Sequence, residues 1–507
     1  MPRALILVSL LVAVSACSAH AEKEASPAPT KAPAACGVDA CTAGAARCSE
    51  DGHVERCSGG ADGCGAWTTE AACGAGEGCH DGACAALSAR QLEHSADLQT
   101  FVDRLASTSG SFLDLGRDPA DILARARATL AAGDDDDRAY YRATRRALTL
   151  FEDGHVDLFS PTKCGTPELP ELFTSLVGAC TQPYQDHAVV SFVGSDNPLG
   201  LAPGDRIVGV DGKAGQAMMD AAFLHGFCGV GSSSTENRRF AAGTSLLATV
   251  HTGSTVTITH VDGTTEEKSV SRLAAPLACR YPHAGAHAYP AKATRRSDGV
   301  AVIEIPTFLL PTSPALTEEQ LAQKIGEVVD SVKAAPGVVW DLRGNPGGAT
   351  LVALSIVSGM PGFRPGLLAR CATRKAGSVP FAAVPGSQFP FQVQKSAAFA
   401  TNGKVAVVID GLTTSAGDYF ALAAKTMTDV KLVGAPSAGA FGGVGQGYEF
   451  GKLAPLRFLA DEQRCTGSHG ELIERTGVAV DTPIELAPED LARGRDTVLE
   501  AAAALLR

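Results

Sequence analysis

A hydroxyl at the mouth of a helix and a glycine-rich turn, each set just after an apolar run, are the chemistry this sequence offers. Asp341-Leu342-Arg343-Gly344-Asn345-Pro346-Gly347-Gly348 follows Gly337-Val338-Val339-Trp340, and Thr413-Thr414-Ser415-Ala416-Gly417-Asp418-Tyr419-Phe420 follows Val405-Ala406-Val407-Val408-Ile409-Asp410. Each reads as a buried strand, a tight polar turn and a helix, the geometry with which α/β proteins present reactive groups at the carboxyl edge of a sheet. Acyl transfer needs a nucleophile, a base, a group that orients the base, and N–H donors for the oxyanion. Ser415 is the candidate nucleophile, at a helix N-terminus that favours developing negative charge. The plainer alternative is that Ser415 only caps that helix. Bare backbone at Gly347 or Gly348 can approach a substrate closely, so one of these N–H groups, with that of Ala416, is the expected oxyanion hole.

The elements that must position these residues come from several segments. Leu98, Phe101, Val102 and Leu105, then Ile122, Leu123, Ala126 and Leu130, recur at helical spacing, with Leu92 at the start of the first set. They predict a helical region over 86–160, whose third helix, Ala139 to Phe151, breaks at Glu152-Asp153-Gly154-His155. A Pro- and Cys-bearing connection follows over 160–186. Residues 187–272 read as strands and hairpins. Their string Gly200-Leu201-Ala202-Pro203-Gly204-Asp205-Arg206-Ile207-Val208-Gly209-Val210-Asp211-Gly212 resembles a PDZ domain. Such domains accept a peptide as an added strand; a small β-domain without a ligand is the alternative. From about 299 to 507 strands and helices alternate as a layered α/β domain. A Pro- and Gly-rich stretch over 361–400 interrupts it and reads as a surface insertion or lid.

Composition bounds the rest. The 507 residues, 45% apolar and 19% charged, suffice for about three domains. A net charge of −12 argues against a nucleic-acid surface. The one acidic run, Asp134 to Asp137, reads as a solvated loop. Arg3 and the apolar run Ala4 to Ala13 form a signal segment. It ends in Val14-Ser15-Ala16-Cys17, which is similar to a bacterial lipoprotein box and predicts lipidation at Cys17 within residues 1–17. Cleavage after Ala19-His20-Ala21, giving a soluble secreted chain, is the alternative. Residues 18–35 read as a disordered tether. Of 15 cysteines, eight fall between Cys36 and Cys84, so 36–84 is expected to be a small disulfide-stapled module. Zinc is the competing use, although no Cys-x2-Cys pair is present. Cys164, Cys180, Cys228, Cys279, Cys371 and Cys465 complete the set and are also expected to pair.

The D-L-R-x-N-P-G-G turn and the T-x-S-A-x-D/E turn resemble the S41 serine peptidases, the carboxy-terminal processing proteases and their tricorn-like relatives. The ending Glu474-Arg475-Thr476-Gly477-Val478-Ala479-Val480-Asp481 is similar to that family's E-N-x-G-V-x-P-D, and the likeness spans about residues 90–507. It implies a ClpP/crotonase-like core, with an inserted PDZ-like domain, that hydrolyses polypeptides without metal or cofactor. Processing proteases use a Ser–Lys dyad, but Leu432-Val433-Gly434-Ala435-Pro436-Ser437-Ala438-Gly439-Ala440 ends in alanine where they carry lysine. Lys425 and Lys431 are the nearest lysines, one in the helix after Ser415 and the other at the start of the next strand. The tricorn-like branch instead draws a histidine from the helical region and a glutamate from the ending, which carries over to His155 as base and Glu474 as its orienting group. Gly154 stands where the tricorn core has serine, so Asp153 is a competing partner for the imidazole. As alternatives, His155 is a favourable charge at a helix end, His469 is the second choice of base, and Glu474 is a surface carboxylate on a strand.

Two functions follow. One is an exported serine peptidase, anchored by lipid facing the periplasm or cell exterior, with a Ser415–His155–Glu474 arrangement and a PDZ-like domain that presents substrate tails. The other is a non-catalytic protein on the same fold that binds peptides or apolar ligands, which the missing lysine motivates. Oligomeric state is not legible in the sequence.

Overall fold

The computed structural model describes residues 41–507 except 50, 60–64, 75, 161–172, 226–228, 280–290, 312–314, 397–398 and 402. The expected signal segment, Cys17, the tether, Cys36, Cys64, Cys164 and Cys228 lie outside the described residues. The chain divides into two units. Among the described residues, 41–45 with 56–68 form one, stapled by Cys41–Cys57, and 46–55 with 69–507 form the other.

In the larger unit, Cys48–Cys79 and Cys73–Cys84 staple a hairpin of Glu77–His80 and Ala83–Ala86. The cysteine-rich segment therefore uses disulfides, as expected of a segment too small for its own core. Three helices follow: Ala89–Thr108, Pro119–Ala131 and Asp137–Phe151. The first opens on a capping box of Ser88 and Gln91. The stripe from Leu98 to Leu130 is buried as its spacing predicts, whereas Leu92, in the exposed first turn, stays outside. The acidic run is only partly a solvated loop. Asp136 caps the third helix through Ala139 N–H, and Asp137 pairs with Arg90, because carboxylates are favoured at helix N-termini.

Next comes an antiparallel sheet in the order Thr265–Ser269, Thr255–Thr259, Arg206–Val210, His187–Val193, Ala179–Tyr184, with helices Gly215–His225 and Thr235–Ser245. It begins at Ala179, not at 187. Pro183 disguises the first strand, and it is tolerated because that strand is the sheet's edge. Cys180–Cys279 closes the layer.

The core sheet runs Lys292–Arg295, Ala301–Glu304, Gly337–Asp341, Lys404–Ile409, Val430–Gly434, Thr482–Pro483 and is parallel from the second strand on. Side chains alternate between its faces. Ile303, Trp340, Val407 and Leu432 pack against helices Glu318–Val332, Thr350–Ser358 and Ala416–Lys425. Val302, Val339, Ala406, Val408 and Val433 pack against helix Thr497–Ala504. Cover on both faces explains why these strands read as unbroken apolar runs.

The stretch 361–400 is not a surface insertion. Gly366–Thr373 pairs with Phe389–Val393 and with Gln463–Gly467, the disulfide Cys371–Cys465 joins them, and Leu368, Ala369, Cys371 and Val393 are buried in the core. One of its two partners, Gln463–Gly467, lies far downstream, so no local pattern ties this stretch to the core. At the end of the glycine-turn strand, buried Arg343 bridges Asp341 and Asp496, each at 2.7 Å. Removing one member of a buried ion network strands the others, so Arg343→Ala is expected to cost about 3–5 kcal/mol, read as a lowered urea midpoint. A loss below about 1 kcal/mol would show a pair worth no more than a surface one.

Candidate active site

Strand Lys404–Ile409 delivers the chain to a turn that ends at Ser415, where φ is 58° and ψ −114°, before helix Ala416–Lys425 begins. A side-chain-bearing residue held there costs on the order of 1–3 kcal/mol, and a sharp strand-to-helix turn of this kind exposes a nucleophile. Asp418 supplies the restraint. Its buried carboxylate accepts the N–H of Ser415 at 2.8 Å, of Gly439 at 2.9 Å and of Ala440 at 3.1 Å, and the hydroxyl of Ser437 at 2.5 Å. Burial pushes Asp418 up to about 6, against the pull of these bonds. Ser415 N–H also donates to the carbonyl of Ala440.

The glycine turn is locked to the same structure. Thr414 N–H donates to the carbonyl of Asn345, and Asn345 Oδ1 accepts from Gly347 N–H at 2.8 Å. A Cβ on Gly347 (φ +90°) would lie 2.6 Å from Ser415 Cβ, and one on Gly348 (φ +129°) 2.1 Å from the Phe308 backbone. Of the three expected oxyanion donors, Gly347 is therefore engaged by Asn345. Gly348 N–H and Ala416 N–H have no acceptor among the described residues.

His155 lies beyond the third helix, which Glu152 closes in the left-handed conformation. Gly154 lies against Ala440, since a Cβ there would sit 2.9 Å from the alanine methyl. The alanine that stands where processing proteases carry lysine is thus packed beside the residue before His155. The same Cβ would lie 2.3 Å from Ser233 Oγ. Ser233 accepts from Gly154 N–H at 2.8 Å and donates to Glu474 Oε1 at 3.4 Å. A serine distant in the chain thus places a hydroxyl beside Gly154. Lys425 is paired with Asp481, and His469 is exposed.

Glu474 is buried in a turn, not on a surface strand, and its Oε2 accepts the N–H groups of Phe441 at 2.8 Å and Gly442 at 3.2 Å. His155, Glu474 and Asp461 bring one ligand-capable atom each within 4.8 Å of one another, a spacing a metal ion could use. Asp461 was not foreseen; its Oδ2 lies 3.5 Å from His155 Nδ1, too poorly aligned for a hydrogen bond. Asp153 accepts the backbone N–H of His155 at 3.1 Å and the hydroxyl of Ser109 at 3.1 Å. Burial alone would depress the imidazole, but Asp461, Glu474 and Asp153 together outweigh it and raise His155 to about 9. Burial and the charge of Asp461 raise Glu474 to about 8 and Asp153 to about 7. The structure thus gathers imidazole and carboxylates in one buried cluster and sets the Ser415 turn against Ala440, which also touches Gly154. Neither ring nitrogen of His155 hydrogen-bonds to a described residue.

Residues 299–484 match the model of peptidase family S41. No curated protein matches the chain. Among solved structures, mature CPAF complexed with lactacystin aligns with a TM-score of 0.57 at 15% identity, over 80% of this chain and 96% of that one. Mature CPAF alone gives 0.57 at 15%, over 80% and 95%. The photosystem II D1 C-terminal processing protease gives 0.40 at 18%, over 83% and 98%. At these identities the CPAF likeness speaks for the fold.

Gly347→Ala would drive a methyl into Ser415. It is expected to slow labelling by a fluorophosphonate about 100-fold while thermal unfolding stays cooperative; unchanged labelling would show that this turn does not set the serine.

Proposed function

We propose that the chain is a serine-type peptidase of family S41, whose model matches residues 299–484, and that Ser415, His155 and Glu474 form its catalytic apparatus. The observation that carries this reading is the strained Ser415 turn, held by Asp418 beside two N–H groups that lack acceptors. His155 accepts the hydroxyl proton as Ser415 attacks the scissile carbonyl and returns it to the leaving amine. Gly348 and Ala416 N–H groups stabilise the tetrahedral oxyanion. Glu474, in the same buried cluster, stabilises the imidazolium. Water then hydrolyses the acyl-enzyme by the same route, with no metal in any step.

The sheet of residues 179–269 fits the role of a PDZ-like domain that holds substrate tails by edge-strand addition. Disulfides among the described residues suit an oxidising compartment. With the lipobox ending at Cys17, they support export and lipid anchoring to a membrane, and no described helix is long and apolar enough to cross one. A ligand-binding protein on the same fold is the second reading, favoured by the absence of a Ser415–His155 hydrogen bond. Such bonds commonly tighten only when substrate arrives.

A peptide-library digest distinguishes the two. Wild type is expected to generate new termini and Ser415→Ala to lose about 10⁴ in rate; equal digestion by both proteins would remove Ser415 from the mechanism. The pH dependence follows from the raised imidazole. His155 must be neutral to act as a base, so kcat/KM should climb through neutrality with its half-maximum near pH 9. A half-maximum at about 6.5, the ordinary histidine value, would contradict the carboxylate cluster. Activity should also survive chelators.

A further inference from the structure

The strand Leu456–Asp461 pairs antiparallel with Asp157–Phe159, the strand immediately after His155. Its partners are Arg457 with Phe159, Phe458 with Leu158 and Leu459 with Asp157. Carried two residues further, that register sets Asp461 opposite His155. Sheet pairing therefore fixes where this carboxylate stands relative to the ring.

The carboxylate is also fixed in orientation. Asp461 Oδ1 accepts the N–H groups of Gly443 at 3.1 Å and Gln463 at 2.9 Å. Gly442 packs so closely that a Cβ on it would lie 1.9 Å from Asp461 Oδ2. Oδ2 itself is buried with no hydrogen-bond partner among the described residues, as are both ring nitrogens of His155, and it faces Nδ1 across 3.5 Å. Orphaned buried groups cost on the order of 1–3 kcal/mol each, and these answer one another after a small rotation of the ring. Glu474 is placed differently. Its Oε2 is taken by two backbone N–H groups and its Oε1 by the Ser233 hydroxyl.

We propose that Asp461 is the positioning residue that receives Nδ1–H of His155, fixing the tautomer that leaves Nε2 available to Ser415, while Glu474 acts as a second carboxylate behind it. The inference rests on the Ser415–His155 reading and deepens it. The groups that bear on the imidazole charge are Asp461, Glu474 and Asp153. Asp461, which accepts only two backbone N–H groups on its other oxygen, is the one whose remaining oxygen is aimed at the ring.

The test compares Asp461→Asn with Glu474→Gln, both checked for cooperative unfolding. Asp461→Asn should lower the plateau of kcat/KM by about 10⁴ and move its ascending limb to lower pH, since a negative partner of the imidazolium is gone. Glu474→Gln should do less on both counts. A limb unmoved by Asp461→Asn, or a larger effect of Glu474→Gln, overturns the assignment. A second measurement needs no turnover. In ¹⁵N-histidine-labelled Ser415→Ala protein, a downfield Nδ1–H signal from His155 should persist with Glu474→Gln and vanish with Asp461→Asn. Its loss with Glu474→Gln overturns the proposal even if Asp461→Asn fails to fold. Absence of peptidase activity in wild type with this NMR pattern intact would instead defeat the peptidase reading alone.

Discussion

One buried carboxylate holds the site together. Asp418 takes hydrogen bonds from Ser415 at the start of its own helix and from Ser437, Gly439 and Ala440 in the turn after the next strand. Those bonds offset the strain of a serine at φ 58° and keep the Ser415 turn against Ala440. Ala440 in turn touches Gly154, so the segment carrying His155 arrives where it does because of contacts that begin at Asp418. Burying a charge is costly unless donors surround it, and here the donors are the very groups that need to be fixed.

The second organising feature is electrostatic crowding. Asp153, Asp461 and Glu474 surround a single imidazole in a site nearly closed to water. Their mutual repulsion and burial raise two of them, while the same charges favour a proton on His155. Stability alone would not select such an arrangement. It is the kind of local conflict that folds tolerate at functional positions, and in the mechanism we propose it stabilises the imidazolium of His155.

What was legible in the sequence was what local pattern encodes. The Asp341 to Gly348 and Thr413 to Asp418 turns follow apolar strands covered on both faces, so composition and order sufficed. Asp418 stood in the quoted turn, but its role depends on a later loop. Asp461 carried no signal, because its relation to His155 is a register between strands far apart in the chain. Ser233 was hidden for the same reason, since its hydroxyl meets Gly154 from a distant part of the chain. Pro183 masks an edge strand, and the core role of Gly366–Thr373 is hidden because its second partner and its disulfide cysteine lie at Gln463–Gly467.

The central claim is that hydroxyl, imidazole and N–H donors converge on one carbonyl. A crystal structure of the protein trapped with a peptidyl boronate tests it most directly. The account predicts boron bonded to Ser415 Oγ, one boronate oxygen held by the N–H groups of Gly348 and Ala416, and His155 Nε2 within about 3 Å of the serine or the second oxygen. An adduct at another residue, or one on Ser415 with the ring of His155 turned away and out of reach, would contradict it.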